Sequence, residues 1–127
     1  MSKIQEFLKN QEKSVMSNVE GKTIIDYFNN NAEEVPEYPA LNTPINSEYT
    51  GWDSVSWSAY RETVHNLASG LIDIGLQTED NAFIVANNVK EHFICDLGIM
   101  HAGGVPSTIY KQLKSGQIEY ISNLLEA

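Results

Sequence analysis

The sequence predicts an α/β fold that stops short of completion: a β-hairpin plus one parallel βαβ unit, flanked by amphipathic helices. Three observations predict it. Residues 82–86 form a continuous apolar run of strand length, suited to a strand buried on both faces. Val89, Phe93, Leu97 and Met100, with Ile94 and Ala102 beside that row, then repeat at helical spacing as far as Gly103-Gly104. Residues 105–110 read as a second strand. A crossover of that size makes the two strands parallel and the connection right-handed.

The elements follow in order. Residues 1–21 are rich in Lys, Glu, Gln, Ser and Asn and read as an N-terminal arm, mobile or briefly helical, with Ile4, Phe7 and Leu8 as its early apolar cluster. Residues 22–127 read as the folded part. Thr23 caps a helix with Asp26 at its third position, and Val35-Pro36 ends that helix because a residue before proline is pushed out of the α region. Turn signals at Asn42-Thr43-Pro44 and Thr50-Gly51 separate two short stretches, 40–41 and 54–57, which predict the hairpin. Ser56 caps the next helix, whose buried face is Trp57, Tyr60, Val64, Leu67, Ala68, Leu71 and Ile74, stopped at Gly75. After the βαβ unit, Ser115 caps a last helix over 115–126 with Ile118, Ile121, Leu124 and Leu125 inward. A parallel sheet fed by helices calls for another strand after it, and none follows. Apolar surface is thus left over, and self-association is expected through residues 105–110 and the Ile118, Ile121, Leu125 stripe.

Charge and composition narrow the function. Eight Lys and Arg against seventeen Asp and Glu give a net charge of −9, which repels a phosphate backbone, so nucleic acid is not an expected partner. A hydrophobic content of 42% with 20% charged residues is that of a chain able to bury a core. Apolar runs are far below the ~20 residues that span a bilayer, so no transmembrane segment is expected. The lone cysteine, Cys95, has no internal partner, in keeping with a reducing, cytoplasmic setting.

Candidate chemistry is sparse. The glycines of residues 98–105 mimic a phosphate-binding loop, but Gly104 and Val105 stand where such a loop needs Lys and Ser or Thr, and these glycines close a helix instead of opening one. His92, Cys95, Asp96 and His101 are near in sequence, yet a single helix is a poor source for a tetrahedral metal set. His101 in a last turn is explained by the helix dipole. His65 has no Ser or Cys spaced to partner it, which leaves nucleophilic catalysis unsupported. Glu79-Asp80 precedes a strand, the wrong end for a magnesium site, and Glu33-Glu34 with Glu37 read as a solvated face. No catalytic, cofactor-binding or metal-binding residue is assigned.

From Thr23 onward these pieces resemble the beginning of the AMP-forming adenylate synthetases, and among them the long-chain fatty acyl-CoA synthetases. Val55-Ser56-Trp57, Tyr60, Val64, Leu67-Ala68, Gly70-Leu71 and Ile74-Gly75 follow the first part of the family's pattern. Asp80, Asn88, Glu91, Asp96-Leu97, Ala102-Gly103-Gly104-Val105-Pro106 and Ile109-Tyr110 follow the second, and Gln117-Ile118-Glu119-Tyr120-Ile121 the third. Glu79 replaces the family's glycine, Asn87 to Lys90 replace a step that usually holds proline or arginine, and Thr108 replaces a second proline.

The resemblance implies the N-terminal part of an acetyl-CoA-synthetase-like fold. It implies a parent ligase that turns a fatty acid into acyl-AMP and then acyl-CoA, using ATP, Mg and CoA, none of which has its family motif in this chain. The remainder of that parent is the implied partner, and the chain alone is expected to be inactive. The alternatives are a free-standing α/β interaction module, or part of another adenylating enzyme such as an aryl-CoA ligase or a peptide-synthetase adenylation domain.

Overall fold

A computed structural model describes residues 2–125; Met1 of the expected arm, and Glu126 and Ala127 of the expected last helix, lie outside the described residues. The chain begins with helix α1 (Lys3–Val19), capped by Ser2 and Gln5, so residues 3–19 take the helical form of the two expected for the arm. Helix α2 (Ile24–Glu34) starts on the Thr23 cap. Thr23 N–H donates to Asp26 Oδ2 at 2.6 Å, and this bond chiefly holds the Asp26 carboxyl below its usual range. Strands β1 (Pro39–Pro44) and β2 (Trp52–Ser56) form the expected antiparallel hairpin, with an irregularity between Pro39 and Leu41. Helix α3 (Trp57–Asp73) follows at once on its Ser56 cap.

Strand β3 (Asn81–Ile84), helix α4 (Lys90–His101) and strand β4 (Val105–Thr108) make the βαβ unit, parallel with Asn81 beside Val105 and Ile84 beside Thr108. Helix α5 (Ser115–Leu125) closes the described chain. The hairpin and the parallel pair are separate two-stranded sheets, and α3 against α4 is the main seam between them. Phe28, Tyr60 and Val64 centre the core, with Leu41, Val55, Trp57, Ile94 and Leu97 packed around them.

Four expectations of burial need correction. Ile74 is 83% exposed because it caps α3 instead of extending it, and so lies past the last turn packed on α4. The strand 82–86 is not buried on both faces: only Ile84 is buried and Val85 is exposed, since helices cover the faces of a sheet and α4 is the main helix packed on β3 among the described residues. On α4 the row of Val89 and Phe93 is exposed, and the buried positions are Gly98 and Ile99 within the helix and Ala102 after it. Apolar residues surround this helix, so spacing alone fits several faces. Finally, α5 buries no residue and Leu124 is exposed, because among the described residues no third strand lies beneath it.

The turn before β3 contains the residue where the sequence departs from the family's glycine. Glu79 sits at φ 71°, in the left-handed region, while its N–H donates to Gly103 O at 2.8 Å. A side chain there costs about 1 kcal/mol that glycine avoids. Glu79→Gly is therefore expected to raise stability by up to about 1 kcal/mol, read as a higher urea midpoint. An unchanged or lower midpoint would contradict this.

Candidate functional site

Ligands of open α/β sheets collect outside the carboxyl ends of the strands, and a cleft of about 290 Å³ lies there in this chain. Asn87 and Asn88 follow β3, His92 comes from the first turn of α4, and Thr108, Tyr110 and Lys111 come from the end of β4 and beyond. His92 Nε2 lies 3.0 Å from Thr108 Oγ1, which ties α4 to β4 at the rim. Amide, hydroxyl and imidazole groups with one ammonium suit this cleft to holding a small polar or anionic group.

The residues weighed from the sequence are dispersed. His92 lines the cleft. Cys95 lies in an apolar groove with Leu67, Leu71, Phe83, Val85 and Ile99, on another side of α4. Asp96 stands close enough to Tyr60 to raise its pKa, although burial is the larger cause of a rise to about 12. His101 Nδ1 donates to Leu97 O at 2.7 Å, and its ring packs edge-on against Phe28 at 5.5 Å. Among the described residues no three His, Cys, Asp or Glu side chains converge.

The glycine run divides by task. Gly98 lies inside α4, where an added Cβ would stand 2.7 Å from Leu67 Cδ2; Gly103 ends the helix at φ 87°. Asp80 caps its own turn, accepting from Gln77 N–H at 2.7 Å. Of the acidic surface, Glu33 stands 3.6 Å from Arg61, and Glu34 and Glu37 are exposed.

One pairing escaped the sequence. His65 on α3 faces His101 on α4 with ring centroids 5.2 Å apart, and burial first, then His101 and Arg61, lower the His65 pKa. The two residues are 36 positions apart, and only the close approach of α3 and α4 brings them together.

The sequence profile of the AMP-binding enzymes matches residues 28–127. This chain belongs to the AMP-binding enzyme family. It is similar to the long-chain-fatty-acid CoA ligase heimdall of Drosophila melanogaster, 27% identical over 110 residues, covering 85% of this chain and 16% of the relative. It is also similar to the vibriobactin-specific 2,3-dihydroxybenzoate-AMP ligase of Vibrio cholerae, 29% identical over 101 residues, covering 78% of this chain and 17% of the relative. The chain thus spans about a sixth of each ligase. Its fold matches the N-terminal subdomain of NpsA from Klebsiella oxytoca with a TM-score of 0.71 at 19% identity, covering 82% of this chain and 26% of that one. The expected fold, the N-terminal part of an adenylate-forming enzyme, is the fold found. Among the described residues no helix is long and apolar enough to cross a membrane.

Proposed function

We propose that this chain is the amino-terminal part of an ATP-dependent, AMP-forming ligase that activates long-chain fatty acids for transfer to coenzyme A in the cytoplasm. The observation that carries this reading is the family match over residues 28–127, joined to a fatty-acid ligase relative aligned with 85% of the chain. In the parent, a fatty-acid carboxylate oxygen attacks the α-phosphorus of ATP and pyrophosphate leaves. The thiol of coenzyme A, losing its proton, then attacks the acyl carbon and AMP leaves. No convergent set of carboxylates is present among the described residues to hold Mg, so no step here is assigned to it.

In this reading residues 22–127 are scaffold, residues 1–21 are an appended arm, and no catalytic residue lies in the chain. The apolar groove between α3, β3 and α4, about 260 Å³, is the surface that the remainder of the parent covers. Aryl acids are the second substrate class, favoured by the similarity to the dihydroxybenzoate ligase.

ATP–pyrophosphate exchange tests the proposal. The polypeptide translated from the whole reading frame is expected to exchange label when given palmitate or oleate, and the 127-residue chain alone to give none. Exchange with 2,3-dihydroxybenzoate but not fatty acids would move the reading to the aryl class. A frame that stops after Ala127, with no exchange, would leave the free-standing interaction module.

A further inference from the structure

The seam between α3 and α4 carries two imidazoles. His65 projects from α3 and His101 from the last turn of α4, and their ring centroids lie 5.2 Å apart. His101 is fixed on the α4 side. Its Nδ1 donates to Leu97 O at 2.7 Å, its ring packs edge-on against Phe28 at 5.5 Å, and its Nε2 is buried with no hydrogen-bond partner among the described residues. His65 is exposed, so protons reach it from solvent. Arg61, one turn before His65 on the same side of α3, adds a permanent positive charge to the pair.

The surroundings offer this pair little negative charge to offset a proton. From α2, Glu33 is engaged with Arg61 at 3.6 Å, Asp26 is held by the Thr23 cap, and Glu34 is exposed. On α3, Glu62 lies three residues before His65 but is exposed, where an ion pair is worth little, and Asp73 lies about 12 Å further along the axis. On α4, Asp96 acts on Tyr60, and Lys90, Glu91 and His92 stand at the opposite end, at least about 13 Å away at 1.5 Å per residue. In the turn before β3, Asp80 accepts from Gln77 N–H and Glu79 is exposed. Among the residues of β1 to β4 only Asp53 is charged, and it bonds Lys90 at 2.8 Å. Burial first, then His101 and Arg61, accordingly hold the His65 pKa below its ordinary value.

We propose that the His65–His101 pair makes the α3–α4 seam an acid-sensitive joint, in which mild acid sets two positive rings face to face beside Arg61 and weakens the packing of the two helices. A histidine whose folded-state pKa is lowered takes its proton more readily in the unfolded chain. The penalty is therefore absent well above the ordinary value of 6.5, grows as pH falls through it and is complete below the lowered value. The end of the α4 dipole favours charge on His101, which leaves His65 as the ring that bears the cost. Because α3 against α4 is the main seam between the two sheets, its loosening reaches both. The joint belongs to this chain's own helices and is independent of the ligase reading.

Urea unfolding of the 127-residue chain, followed by tryptophan fluorescence, tests this at about pH 7.5 and about pH 5.5, a window in which histidines titrate and ordinary carboxylates do not. The midpoint is expected to be lower at the acid pH. His65→Gln is expected to remove at least half of that difference, because the exposed site accepts the amide while the ring charge is gone. Proton NMR of the His65 ring gives a second readout. Its titration midpoint is expected below 6.5 in the unsubstituted chain and to rise in His101→Gln. Should His101→Gln not fold, Arg61→Gln is expected to move that midpoint in the same direction, since Arg61 also lowers it from the rim of the seam. Three results would overturn the proposal. They are a urea midpoint that is the same at both pH values, an acid loss of equal size with and without the His65 ring, and a His65 titration that neither substitution moves.

Discussion

Phe28→Ala is expected to destabilise the fold by about 3–5 kcal/mol, the range for removing a buried aromatic ring. Phe28 is 5% exposed and stands where three helices meet. Its ring lies edge-on to Tyr60 of α3 at 5.0 Å, tilted against Trp57 at 6.0 Å and edge-on to His101 of α4 at 5.5 Å. Alanine leaves a cavity that Tyr60 and His101 cannot both collapse into, because each is fixed on its own helix. Urea unfolding followed by tryptophan fluorescence checks this. A loss below about 1 kcal/mol would mean that the α2 seam contributes little.

Gly98→Val is the second large effect, of the opposite kind. A Cβ at Gly98 would stand 2.7 Å from Leu67 Cδ2, 2.9 Å from Cγ and 3.3 Å from Cβ, so the whole Leu67 side chain has to move. α3 and α4 are the most closely packed pair of elements, and a branched side chain forces them apart at an expected cost of about 1–3 kcal/mol. Adding Leu67→Ala should recover part of that loss, since the vacated volume is where the valine needs to go. Two losses that simply add in the double variant would show that the close approach is not the cause.

Local rules made much of this fold legible. Thr23 and Ser56 cap helices because their hydroxyls answer backbone N–H groups within the next turn, and Val35-Pro36 and Gly103 end helices for equally short-range reasons. Those signals lie within a few residues of the element they govern. Burial was less legible. The exposed faces of β3 and α5 depend on which neighbours a sheet has, and the face of α4 depends on a glycine meeting Leu67 from another helix. The same limit hid the His65–His101 pair. The cleft beyond β3 and β4 could be placed only as a strand end, because its polar lining comes from three segments that the topology brings together.

The two sheets also set an order of assembly. Hairpin partners such as Pro44 and Trp52 are near neighbours in sequence, and Asn81 reaches Val105 across a single crossover, so most loops that must close are short. Closing short loops costs little chain entropy, and folds of low contact order form fast. The helix seams are the long-range part, and the contact of Phe28 with His101 reaches far along the chain, joining α2 to a helix that is synthesised much later. On a ribosome the hairpin and α3 can therefore condense first, and α2 gains its last partner only when α4 has emerged. The α2–α4 seam is thus the step at which α2 is fixed in this fold.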